Sequence, residues 1–160
     1  MSLPQIRSAI QSILQAVDPD SQIHDFERWE DDADNIAALF QRNSGDPFRG
    51  WVFKPVSREE FMLSHTSTRI AYVFELRFLR SVEDAQGSEK LVWDVHLEPA
   101  IAAFKQSVDL DGAAWSTGPV GGGSEYALQV DSVLYTKAGG VLCHFAKCHL
   151  TVHVQASLPA

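Results

Sequence analysis

Two cysteines in 160 residues cannot build a disulfide-stapled scaffold, and the chain has no Cys-x-x-Cys pair of the kind that opens a structural zinc site. No run approaches the ~20 apolar residues that carry a helix across a bilayer. The N-terminal MSLPQIRSAIQSILQAV lacks a basic leader, a long apolar run and a small-residue cleavage site, so the expected home is the cytoplasm. Basic side chains are also scarce. Thirteen Lys and Arg against 21 Asp and Glu leave a formal net charge of −8. That shortage disfavours gripping a phosphate backbone, which needs clustered cations.

Hydrophobic residues make up 45% of the chain, enough for a core and too many for wholesale disorder. The length favours one domain spanning 1–160. Residues 2–17 read as an amphipathic helix. Ser2 and Gln5 have capping-box spacing, Pro4 falls in the first turn, and Ile6, Ile10, Ile13, Leu14 and Val17 make one stripe. Asp18-Pro19-Asp20 ends it. A short helix is expected near 32–42, stopped by Asn43-Ser44-Gly45-Asp46-Pro47. GWVFKPV (50–56) reads as a strand, with Pro55 marking a sheet edge or a strand end.

RIAYVFELRFLR (69–80) alternates clearly. Ile70, Tyr72, Phe74, Leu76 and Phe78 point one way, Glu75 and Arg77 the other. A polar loop follows at 81–90. Residues 91–110 have helical spacing at Leu97, Ile101, Phe104 and Val108, and Pro99 implies either a start near Leu97 or a kink there. GPVGGGSEY (118–126) is a glycine-rich loop. Alternation resumes at Tyr126, Leu128 and Val130, and Lys137-Ala138-Gly139-Gly140 supplies a turn into a last strand, 141–155. The expected class is α+β: a mainly antiparallel sheet of about four strands, with helices packed on one face.

Three stretches invite a chemical reading. VLCHFAKCHLTVHVQ (141–155) holds both cysteines and three of six histidines. As a strand it turns Leu142, His144, Ala146, Cys148, Leu150, Val152 and Val154 to the core and Cys143, Phe145, Lys147, His149, Thr151 and His153 outward. His149 and His153 then lie roughly 13 Å apart at ~3.3 Å per residue, too far to share a zinc with bonds of ~2.0–2.1 Å. No metal ligands are assigned. Gly121-Gly122-Gly123-Ser124 lacks the lysine and following helix of a phosphate loop, and Tyr126 replaces the last glycine of a nucleophile elbow. The acidic run from Glu27 to Asp34 fails the calcium-loop pattern, with Ala37 and Asn43 where a glycine and a glutamate are needed, and reads as a solvated helix start. Asp94, His96 and Glu98 diverge on a helix. No catalytic residue and no cofactor follow from these patterns, and the chain is not expected to be an enzyme.

The order of elements carries more. An amphipathic first helix precedes Gly50-Trp51-Val52-Phe53, a long aromatic strand through Tyr72-Val73-Phe74-Glu75-Leu76, and a polar loop. Then come a helix at Leu97-Glu98-Pro99-Ala100-Ile101-Ala102-Ala103-Phe104, a glycine-rich loop, and two closing strands ending His149-Leu150-Thr151-Val152-His153-Val154. This layout resembles the tail terminator (tail completion, neck) proteins of long-tailed bacteriophages over nearly the whole chain. The resemblance implies a structural protein of the virion, assembled in the host cytoplasm. It implies a hexameric ring on the end of the tail tube, stopping its polymerisation and offering the head connector a surface, with genomic DNA passing through unbound. The loops 81–90 and 116–124 are then the expected contacts, through Glu83, Asp84, Ser116, Gly118, Gly121, Gly122, Gly123 and Ser124. Two other readings remain open: a different head-to-tail connector or neck component, and a cytoplasmic enzyme or ligand-binding module with a pocket near Trp93, His96 and Trp115.

Overall fold

A computed structural model describes residues 2–26, 33–82, 87–118 and 127–157, with only the backbone given for 33–35. Helix α1 (Leu3–Val17) forms as its sequence requires. The Ser2 amide donates to Gln5 Oε1 at 2.7 Å, occupying one of the donors a helix start leaves open. Ile6, Ile10, Ile13 and Leu14 are buried along one stripe, and Asp18 closes the helix by donating its amide to Leu14 O at 2.8 Å.

The remaining described elements are β1 (Gln22–His24), α2 (Ala33–Phe40), β2 (Arg49–Ser64), β3 (Ser67–Ser81), α3 (Ser88–Leu91), a π-helical segment (Val92–Leu97), α4 (Glu98–Gln106), β4 (Ser116–Thr117), β5 (Leu128–Ala138) and β6 (Val141–Ser157). All six strands join one sheet. Its order is β1-β2-β3-β6-β4, with β5 also paired to β6. β1 lies parallel to β2, and the other pairs are antiparallel.

Strands expected at 50–56, 69–80, from Tyr126 and at 141–155 are all present as β2, β3, β5 and β6, but the four-strand sheet with helices on one face is not. The sheet has six strands and curls into a half-barrel, accompanied by three helical bodies. β1 and β4, three and two residues long, are too short to carry an alternation. The helices also divide between the two faces. Trp51, Phe53, Phe74, Leu76 and Phe78 pack with α1, the π segment and α4 in the main core. Leu79 and Cys143 sit one residue out of step, and pack with Ile36, Leu39 and Phe40 of α2 in a second cluster. Period-two alternation makes both clusters possible: a strand covered on both faces is apolar at odd and even positions alike.

β2 runs eight residues beyond the expected 50–56 on its C-terminal side, to within two residues of β3. Pro55 sits inside it at a register shift rather than at its end. Only Gly50, Trp51 and Val52 meet a residue described in β1, so Pro55 lies on an open sheet edge, where its missing donor costs nothing. Pro99 is accommodated in the first turn of α4. The chain ahead of it widens to π geometry, and Glu98 donates its amide to Trp93 O, five residues back. Helix geometry ends at Gln106, so Val108 leaves the expected stripe and is 52% exposed.

Candidate functional site

Where the last turn of α1, β2, β3 and the π segment meet, four polar side chains are sealed inside the main core. Asp18, Arg80 and His96 are buried, with Trp51 beside them. Asp18 Oδ2 accepts from Ser21 Oγ at 2.5 Å, from Trp51 Nε1 at 3.2 Å and from His96 Nδ1 at 2.7 Å. On the other side of the ring, His96 Nε2 lies 2.7 Å from Arg80 Nη1. A guanidinium can only donate, so Nε2 accepts and the imidazole proton sits on Nδ1. Burial alone would raise the Asp18 carboxyl, but the hydrogen bonds from His96, Ser21 and Trp51 outweigh it and hold the group below its ordinary value.

This Asp–His–Arg chain has the residue types of a proton relay, but both His96 nitrogens are already spent and the ring has no exposed surface. Its chemistry is to hold helix to sheet. Asp94 and Glu98, weighed above as acid–base partners of His96, are exposed on the outer side of the helix. The expected alternative pocket does not assemble either, since Trp115 is 49% exposed and His96 wholly enclosed. A cleft of about 330 Å³ lies elsewhere, lined by Asp20, Phe40, Arg42, Asn43, Asp46, Pro47 and Arg49. Asp20 pairs there with both Arg42, at 3.2 Å, and Arg49, at 3.5 Å.

The histidines of β6 take separate partners. His149 Nδ1 lies 2.6 Å from Asp131 Oδ2 of β5. His153 Nε2 donates to Gly118 O at 2.7 Å. His144 is 1% exposed, hydrogen-bonded to Ser88 Oγ at 2.6 Å and tilted against the Tyr135 ring at 4.7 Å. Burial pushes its pKa down, with Arg80 adding to the fall and Glu89 opposing it. Cys143 and Cys148 are free and buried, and loss of solvent pushes their thiols up to about 11 and about 12.

Of the residues expected to contact partners, Ser116 and Gly118 are described. Ser116 pairs with His153 as part of β4. Gly118 donates its amide to Thr151 O at 2.9 Å, with φ at +129°, a backbone conformation that favours glycine. Both are held to the edge of β6 rather than presented on a free loop. Glu83, Asp84, Gly121, Gly122, Gly123 and Ser124 lie outside the described residues, as does the acidic run 27–32 with Trp29.

What the structure offers a partner is its two sheet margins. β5 pairs with β6 alone, so its outer edge is open among the described residues. On the opposite side, no described strand pairs with β2 beyond Val52. Each margin carries exposed apolar side chains: Leu134 (58%) and Tyr135 (60%) on β5, Met62 (74%) and Leu63 (46%) on β2. Sequence reading located the strands but missed the second half of β2. Phe61-Met62-Leu63 follows the charged Arg58-Glu59-Glu60, which hid the strand signal.

No family profile matches the chain, and no curated protein does. One solved structure, of a protein whose name carries no functional description, is similar over 100% of this chain and 99% of that one. It is 14% identical with a TM-score of 0.47, a likeness too slight to carry an argument.

Proposed function

We propose that this chain is a structural assembly protein of the tail-terminator kind. Copies join in a ring that caps a phage tail tube, stops its polymerisation and forms the joint to the head connector, while DNA passes through. The observation that carries this reading is the pair of open margins on opposite sides of one sheet, each bearing exposed apolar residues. Two different surfaces on one subunit support head-to-tail contacts, which close into a ring when the rotation between neighbours closes. A net charge of −8 suits a channel past which phosphates slide rather than stick. In this reading the protein works at the tail–neck joint of the virion, after assembly in the host cytoplasm.

Light scattering across a concentration series, with negative-stain imaging, tests the self-assembly. Rings, or monomers that convert to rings as concentration rises, are expected. Adding the protein to polymerising tail-tube subunits should shorten the tubes and leave it at one tube end. A monomer at every concentration that leaves tube length unchanged would overturn the proposal.

A further inference from the structure

We propose that the cleft between the turn after α1, the end of α2 and the start of β2 binds a small molecule through a phosphate or carboxylate group. Arg49 and Arg42 take the oxyanion, and Asp20 gives way to it. The proposal goes beyond the ring reading and does not depend on it. It starts from a guanidinium short of partners. The Arg49 side chain is only 25% exposed, and among the described residues its one charged partner is Asp20, with Nη2 3.5 Å from Oδ2. Charged hydrogen bonds of this type run at ~2.7–2.9 Å. Arg49 Nε is buried with no hydrogen-bond partner among the described residues. A fork of five N–H donors is thus left with one distant acceptor. Buried polar groups are otherwise paired, and a bound anion would supply what Arg49 lacks.

The charges around Arg49 increase that need. Arg49 stands directly opposite Arg80 across the β2–β3 pair, and like charges so placed repel. Arg42 reaches the same cleft from the chain just after α2, its Nη1 3.2 Å from Asp20 Oδ1. Two cations from separate elements therefore converge on one carboxylate, and each touches a single oxygen of it. Asp20 is 62% exposed, so turning it out into water costs little. The other carboxylate of the cleft, Asp46, serves its own turn. Its Oδ2 accepts from the Asn43 amide at 3.1 Å and from Asn43 Nδ2 at 2.9 Å, and its carbonyl accepts from Gln41 Nε2 at 2.7 Å. Those bonds fix one wall of the cleft. With Asp20 displaced, two positive charges face the space, and the guanidinium fork matches a phosphate or carboxylate through paired bonds. A volume of about 330 Å³ sits at the small end of ligand sites, which run to ~300–1,000 Å³.

NMR of the isotope-labelled full chain tests the site, with inorganic phosphate and succinate titrated separately at constant ionic strength against a chloride control. The Arg49 Nε–Hε resonance should move saturably, with a Kd of about 1 mM or tighter, and the tighter probe identifies the headgroup. Followed on the backbone amides of 41–49, Arg49→Gln should weaken that probe at least about tenfold. Arg42→Gln, at a more exposed position, should weaken it about threefold. Asp20→Asn should tighten it about threefold, because the competing charge is gone. Urea midpoints check that each variant folds. Should Arg49→Gln not fold, Arg49→Lys keeps the charge, loses the fork and should still lose about tenfold. No saturable binding of either probe up to about 50 mM, or an Arg49 variant no weaker than the distant Arg58→Gln, would overturn the site. Weaker binding by Asp20→Asn would overturn the exchange of Asp20 for ligand. Assembly lost in Arg49→Gln with both titrations unmoved would overturn the small-molecule site in favour of an acidic side chain from a neighbouring copy.

Discussion

His96 Nδ1 donates to Asp18 Oδ2 across 2.7 Å, and this bond joins residues 78 positions apart. It ties the π turn before α4 to the C-terminal cap of α1, with Trp51 and Arg80 of the sheet bonded to the same pair. One carboxylate thereby fixes two helices and two strands.

Replacing Asp18 with Ala should therefore be severe. It leaves the Trp51 indole N–H and the His96 ring N–H buried without an acceptor, and each buried donor left unsatisfied costs about 1–3 kcal/mol. Asp20, two residues on, is 62% exposed in its two arginine pairs, and Asp20→Ala should cost under ~1 kcal/mol. Urea midpoints of the two variants give the comparison. Equal shifts would mean the buried network contributes no more than a surface pair.

Acid should unfold the protein through two carboxylates. Asp18 lies below its ordinary 3.8. Glu75 lies below its ordinary 4.5: burial would raise it, but bonds from Lys147 and Arg77 outweigh that. Each group binds protons more readily in the unfolded chain, so its contribution is complete above the ordinary value and is lost as pH falls through the lower folded one. The urea midpoint should be flat with respect to these groups down to about pH 5 and should fall steadily below about pH 4. A midpoint unchanged between pH 6 and pH 3 would contradict this.

Neither thiol should react in the native state. Cys143 and Cys148 have no exposed surface and raised thiol values of about 11 and about 12. A thiol reagent at pH 8 should label both only in denaturant, and native labelling should proceed at the rate of unfolding. Rapid labelling of either under native conditions would place it at the surface.

Gly50 should not tolerate alanine. A Cβ there would stand 2.6 Å from Phe40 Cδ1 and 2.8 Å from Gln22 O, and the second of these is backbone. Relief requires β1 to separate from β2 or α2 to shift, a cost of about 1–3 kcal/mol. At Gly87 a Cβ would meet nothing within 4 Å, so Gly87→Ala should be close to neutral. Thermal midpoints of the pair measure the difference.

Much of the core was legible because alternation and helical spacing are local properties. The even positions Phe74, Leu76 and Phe78 of β3 were read correctly as core, whereas Glu75, read as facing the other way, is buried too because that face is also covered. The same rule placed His144, Ala146, Cys148 and Leu150 inward on β6. Leu142 fails it at 46% exposed, because a strand's first residues have little above them to cover the face. Helix α1 was read almost to its bounds, since its stripe and cap lie within one stretch of chain.

The sequence alone determined where apolar surface would form and at what period. Only the tertiary structure decided that α2 covers the opposite face from α1, that two-residue β4 joins β6, and that Asp18, His96 and Arg80 share one buried centre. Those outcomes depend on contacts between residues tens of positions apart. No local period encodes such contacts, because they come from chain closure and from a buried carboxylate's need for donors wherever in the chain they lie.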